Sequence, residues 1–307
     1  MTHAILTIIL IMGESDVMRH RVLVGGLAAA LALSGLAACG NDKEPAPASK
    51  VDVVAGFYPL QFVAERVGGP HVAVANLAQP GAEPHDMELK PSQIIHIADA
   101  DLVIYLKHFQ PEVDLAVAQN AGDKSLDVAT ITPLVGQDPH VWLDPTRLAA
   151  IGDATAAKLA ETDPANAAAY TEAAAALRAD LLELDQEFAS GLQTCDRREI
   201  VTSHAAFGYL ARRYQLTQIG LTGLSPEEEP TPKRLTEVAA QAKAAGATTI
   251  FFESLVSPRV AQTLADEAGA KTAVLDPIEG LAAGSTEDYF SVMRANLKAL
   301  REALGCR

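Results

Sequence analysis

Between Ala165 and Ser190 the chain contains neither glycine nor proline, while Leu177, Leu181, Leu184 and Phe188 recur at helical spacing. Asp163 and Pro164 read as an N-cap and a first-turn proline. The stretch 163–192 therefore predicts one helix with about 26 uninterrupted residues, roughly 40 Å long. A helix of that length crosses from one domain to another. The rest of the chain has to be arranged around it.

On both sides of this stretch, short apolar runs alternate with helical segments. "VDVVAGFYPL", "VAVANLA", "DLVIYL" and "KSLDVAT" read as strands before it. "REIVTSH", "LTQIGLTG", "ATTIFFES" and "KTAVLDPI" read as strands after it. Strands separated by helices argue for parallel βα units. The expected fold class is α/β, with two lobes, residues 51–162 and 193–307, joined by a single long linking helix. A chain of 307 residues is long enough for two such lobes.

The first 39 residues read as a signal region and not as part of the fold. "MRHRVLVGGLAAALALSGLAAC" opens at Met18 with a basic run, continues apolar, and ends in small residues before Cys39. That is the layout of an export signal, too short and too rich in Ala and Gly for a membrane-spanning helix. Glu14 and Asp16 precede the basic run, where an export signal is positive, so Met18 is the expected start. "LAAC" resembles the lipobox of bacterial lipoproteins, which implies lipidation at Cys39 and an extracytoplasmic position anchored to the membrane. "GNDKEPAPASK", 40–50, reads as a polar spacer. Cys195 and Cys306 then remain, and in an exported protein the expected reading is a disulfide between them.

Formal net charge is −15, from 39 acidic against 24 basic residues. Nucleic-acid binding needs a basic stripe, and none is present.

Ligands of open parallel sheets gather at the carboxyl ends of strands. Three histidines occupy such positions: His85 in "QPGAEPHDMELKPS", His140 in "QDPHVWLDP" and His204 in "VTSHAAFGYL". Asp276 in "AVLDPIEGL" does the same. Two precede the long helix and two follow it, so the four would meet between the lobes. Three imidazoles and a carboxylate suit tetrahedral zinc better than manganese, calcium or magnesium. The four lie far apart in sequence and match no local metal motif, so each histidine also has a reading as a buried loop residue bonded to backbone. A zinc hydrolase is the rival class, but it would need an open position for water, and neither HExxH nor G-x-S-x-G occurs. The expectation is therefore a protein that is not an enzyme.

Across the chain from "VDVVAGFYPL" to the C-terminal helix, the sequence resembles the cluster A-I, zinc-uptake-type substrate-binding lipoproteins of ABC importers for zinc and manganese. The resemblance is carried by "GAEPHDMELKPS", "ADADLVIYL", "DPHVWLDP", "VTSHAAFGYLARRY", "GLSPEEEPTP", "IFFESLVSPRVAQTLADEAGA" and "VLDPI". It implies a monomer that captures one Zn2+ per chain with His85, His140, His204 and Asp276 and delivers it to a membrane permease. It also implies release through local loop movement, not wide hinge opening. Manganese-type relatives carry glutamate at the third position, where His204 makes this chain zinc-like. A manganese or iron importer component is the alternative within the family.

Two departures stand out. Many zinc-type members carry a His- and acid-rich loop between the first and second ligands, absent from "DVATITPLVGQ". Without it, delivery would bypass the loop or use a separate metallochaperone. Lys107 and His108 replace small residues. Asp86 and Glu253 are candidates to orient an imidazole. Trp142 reads as a packing anchor, His96 as a helix packing or surface residue, and His71 as exposed. The "EEE" of 227–229 reads as a solvated loop, and the adjoining "EPTP" as a segment that helps dock the transporter.

Overall fold

The computed structural model describes residues 50–307. The expected signal region, Met18, Cys39 and the spacer up to residue 49 lie outside the described residues.

The first lobe builds a parallel sheet from β1 (Val51–Ala55), β2 (Val72–Asn76), β3 (Leu102–Tyr105) and β4 (Ser125–Asp127), in the order β2-β1-β3-β4. Helices α1 (Tyr58–Gly68), α2 (Pro91–Asp99) and α3 (Pro111–Asn120) make the crossovers. The second lobe repeats the plan with β5 (Glu199–Thr202), β6 (Thr217–Gly220), β7 (Thr249–Phe252) and β8 (Lys271–Val274), in the order β6-β5-β7-β8. Its helices are α6 (Gly208–Arg213), α7 (Pro232–Ala244), α8 (Arg259–Ala268) and, closing the chain, α9 (Tyr289–Leu304). Helices cover both faces of each sheet, so the inner strands are almost continuously apolar. Val53, Val54 and Ala55 pair with Leu102, Val103 and Ile104 in turn, and all six are buried.

One long helix joins the lobes, as the sequence reading had it. Before it, α4 (Pro145–Thr162) packs on α1 and β3 of the first lobe and is capped by Asp144, whose carboxylate accepts from the Thr146 amide. It turns back at Asp163–Asn166 into α5 (Ala167–Gly191), the expected long helix. Asp163 is not the N-cap of α5. Its carboxylate instead accepts from Asn166 Nδ2 at 2.7 Å and from the Tyr170 hydroxyl at 2.8 Å. Gly152 lets the pair approach closely, since a Cβ there would lie 3.2 Å from Leu177.

α5 is fastened in both lobes. Arg66 of α1 bonds Asp180 at 2.6 Å, and Arg213 of α6 forks onto Asp185 at 2.8 and 2.6 Å. The predicted stripe Leu177, Leu181, Leu184 and Phe188 is buried. One contiguous apolar core runs from Val53 through Trp142 and Leu181 to Leu304, through both lobes. Two hydrogen bonds sew the lobes together within it: Trp142 Nε1 donates to the Pro277 carbonyl at 2.7 Å, and Tyr289 donates to the Trp142 carbonyl at 2.6 Å. Trp142 is thus the anchor expected. Cys195 and Cys306 face each other across an isolated antiparallel bridge beside the end of α9. His71 is half-buried, not exposed, its ring edge-on to Tyr170.

Candidate metal centre

The carboxyl ends of both sheets open toward one another, and four donors meet between them: His85, His140, His204 and Glu279. Their ligand atoms all lie within 4.8 Å of each other.

Each is presented by a different local device. His85 follows β2 on a loop whose backbone is pinned from two directions. Its amide donates to the Glu83 carboxylate at 3.1 Å, and buried Gln110 donates to the Pro84 carbonyl at 3.3 Å. His140 precedes the single 3₁₀ turn Val141–Leu143 that leads into α4. Its Nδ1 donates to Asp138 at 2.8 Å, which turns Nε2 toward the centre. His204 lies two residues beyond β5, and Glu253 directly follows β7. Because β5 and β7 are adjacent strands whose crossovers run in opposite directions, both residues stand at a topological switch point. There His204 Nδ1 donates to Glu253 at 2.6 Å.

Glu279 completes the group. Its Oε1 lies 3.3 Å from Nε2 of His85, 3.0 Å from that of His140 and 3.4 Å from that of His204. The His140 and His204 Nε2 atoms are 3.3 Å apart. A tetrahedral zinc with bonds of about 2.0–2.1 Å spaces its ligand atoms about 3.4 Å apart. All four separations come close to that edge length. Three imidazole nitrogens and one carboxylate oxygen form a zinc-type donor set.

Asp276, the expected fourth ligand, is a correction. It lies outside the cluster because both of its oxygens are engaged elsewhere: Oδ1 accepts from the Ile278 amide at 2.7 Å, and Oδ2 from the Ser254 hydroxyl. Glu279, three residues on, takes the position. Asp86 is likewise not the orienting group beside His85, because it is exposed. Asp138 orients an imidazole instead, and its place in "QDPH", two residues before His140, was the available signal. Glu253 does contact His204, as anticipated.

Electrostatics follow from burial set against these contacts. Burial alone would lower the His204 pKa, but the Glu253 and Glu279 carboxylates overcome it and push it up to about 10. Burial opposes protonation of His140 too, yet bonds with Asp138 and Glu279 leave it above its ordinary value. Burial would raise Glu279, but its bonds with His140, His204 and His85 hold it well below the usual carboxylate range. Burial and the neighbouring Glu279 charge push Glu83 up to about 9. Without metal, the Glu279 carboxylate and the His204 and His140 imidazoles thus favour each other's charged forms.

His140 and His204 are 0% exposed and Glu279 3%, whereas His85 is 8% exposed and lines a cleft of about 690 Å³. Phe109, Pro139, Glu228 and His108 line the same cleft, so His108 faces the mouth and not the donor cluster. Of the four donors, His85 is the one that borders this cleft. His96 is far from this, bonded to Asp52 at 3.1 Å.

The sequence matches the family model described as ZnuA, zinc-uptake complex component A, periplasmic, over residues 53–303. It is 32% identical to the high-affinity zinc uptake system protein ZnuA of Bacillus subtilis, over 88% of this chain and 93% of that protein. It is 34% identical to the zinc-binding lipoprotein AdcA of Streptococcus pneumoniae over 90% of this chain, although it spans only 60% of that longer protein. Among solved structures, the Zn(II)-bound ZnuA-like domain of that AdcA superposes with a TM-score of 0.74 at 34% identity, covering 83% of this chain and 99% of that domain. The laminin-binding protein Lmb of Streptococcus agalactiae, described as an adhesin with metal-transporting activity, superposes at 0.75 with 32% identity, covering 83% of this chain and 99% of its own. On the breadth of these matches and the donor cluster they share a fold with, the chain belongs to the ZnuA family of zinc-uptake proteins.

Proposed function

We propose that this protein is the extracytoplasmic zinc-binding component of an ABC importer. It captures one Zn2+ between His85, His140, His204 and Glu279 and delivers it to a membrane permease. The observation that carries this reading is the convergence of three Nε2 atoms on one carboxylate oxygen at separations suited to tetrahedral zinc. Four protein donors close the coordination sphere and leave no position for an attacking water, which favours carriage over catalysis. Lipidation at Cys39 after removal of the signal would tether the protein at the membrane that holds its permease.

The test is metal competition. Metal-stripped protein offered equimolar zinc and manganese is expected to retain one zinc per chain and little manganese, counted by elemental mass spectrometry. Manganese in excess of zinc would overturn the cargo assignment.

Export also bears on the cysteines. We infer a native disulfide between Cys195 and Cys306, closing a loop of 111 residues. Such a crosslink stabilises by about 2–4 kcal/mol. Cys306→Ser is expected to lower unfolding stability by about that amount, and thiol titration of the denatured, exported wild type to find no free sulfhydryl. Two titratable thiols per chain would rule the bridge out.

A further inference from the structure

Ile278 is buried and has φ +58°, a conformation that β-branched residues rarely adopt. It directly precedes Glu279. Backbone strain of this kind persists only where the surroundings impose it, and it gathers at ligand clamps. Here the ties that impose it are visible. The Asp276 carboxylate accepts from the Ile278 amide at 2.7 Å, closing the turn, and Trp142 holds the Pro277 carbonyl at 2.7 Å. Asn296 of α9 anchors the base of the turn, accepting from the Asp276 amide at 2.8 Å and donating to its carbonyl at 2.7 Å.

The second oxygen of Asp276 accepts from the Ser254 hydroxyl. Ser254 directly follows Glu253, the residue that holds His204. One loop after β7 therefore controls both donors from this lobe, His204 through Glu253 and Glu279 through Ser254 and Asp276. Ser254 is also exposed at the surface, so the clamp has an outer end.

We infer that Asp276 is a positioning residue for zinc binding: it fixes the left-handed turn at Ile278 that presents Glu279, and it couples that turn through Ser254 to the loop holding His204. This rests on Glu279 being a ligand. Asp276 does not touch the ion. Its contribution passes through Glu279 and disappears when Glu279 is gone.

A double-mutant cycle with a chromophoric zinc chelator as competitor tests this. Asp276→Ala is expected to weaken zinc binding by about 10–100-fold, the range typical of groups that support a ligand. Asp276→Asn keeps an oxygen for the Ile278 amide and is expected to return to within about threefold of wild type. In a Glu279→Ala background, Asp276→Ala is expected to change affinity by less than about threefold. With cobalt(II) as probe, the visible spectrum of Asp276→Ala should move toward that of Glu279→Ala. Wild-type affinity in Asp276→Ala, an equal loss in both backgrounds, or no recovery with Asn would each overturn the inference. Should Asp276→Ala not fold, Ser254→Ala carries the same cycle, with a loss of at least about threefold expected only while Glu279 is present. Glu279→Ala binding zinc like wild type would instead refute the ligand assignment itself, a distinguishable failure.

Discussion

Alanine in place of His140 or His204 is expected to weaken zinc binding by several hundredfold to a thousandfold. Zinc sites built wholly from protein ligands contribute about 10–16 kcal/mol, so an even share for one of four ligands is about 2.5–4 kcal/mol. At about 1.4 kcal/mol per tenfold, that is roughly 60- to 700-fold. The buried surroundings add to it. His204→Ala leaves the Glu253 carboxylate, 3% exposed, without its imidazole partner, and His140→Ala takes the imidazole from Asp138, which keeps the backbone amide of residue 140. His85→Ala should cost less than either, because that site faces the cleft and water can take the vacant position. His96→Ala, far from the cluster, is the control and should bind zinc as wild type does. Competition titration with a chelator of known affinity reads all four. Near-wild-type binding by His204→Ala would mean that the donor set is wrong.

Zinc affinity is expected to keep climbing with pH well above neutrality. Imidazoles with an ordinary pKa near 6.5 would give a plateau by about pH 7.5. Here His204 is raised to about 10, and His140 is raised as well. Zinc has to displace those protons, so each one still bound weakens apparent affinity about tenfold per pH unit below its pKa. The sign is opposite for the empty fold. A histidine raised from 6.5 to about 10 stabilises the metal-free protein fully below about 6.5, and that contribution is lost as pH rises toward 10. Between pH 6.5 and 9, the metal-free protein should therefore lose stability while the gain from added zinc grows. Calorimetry at pH 7.5 in buffers of different ionisation enthalpy should find between one and two protons released per zinc bound. No proton release, or a plateau in affinity above pH 7, would contradict the buried ion-pair description.

The strands were legible because each is a short apolar run between turn residues, as in "DLVIYL" between Asp101 and the Lys107 loop, and parallel sheets covered on both faces impose that pattern. The three histidines were legible for a related reason: each follows a strand or opens a helix at the same end of its lobe. α4 was harder to see. Its signals, Asp144 as cap and Pro145 in the first turn, stand in the sequence, but Gly152 reads locally as a helix breaker and only its contact with Leu177 explains it. The fourth donor was illegible for a deeper reason. "DPIEG" holds two carboxylates, and which one enters the cleft depends on the left-handed backbone at Ile278, which local preference argues against. Asp138 and Glu253 owe their roles to contacts at opposite ranges, one across two residues and one across neighbouring strands.

The core that passes unbroken from Val53 to Leu304 fixes what the molecule can display to its surroundings. Separating the lobes would expose Trp142 and the stacked pair Phe62 and Tyr289 together, each aromatic ring covering roughly 150–250 Å². Loaded and empty protein should thus have the same silhouette and the same radius of gyration in solution scattering. A membrane partner that distinguishes a full carrier from an empty one has no change of outline to read. It has to sense texture at a few surface positions around the cleft, at the scale of one loop and one ion's charge.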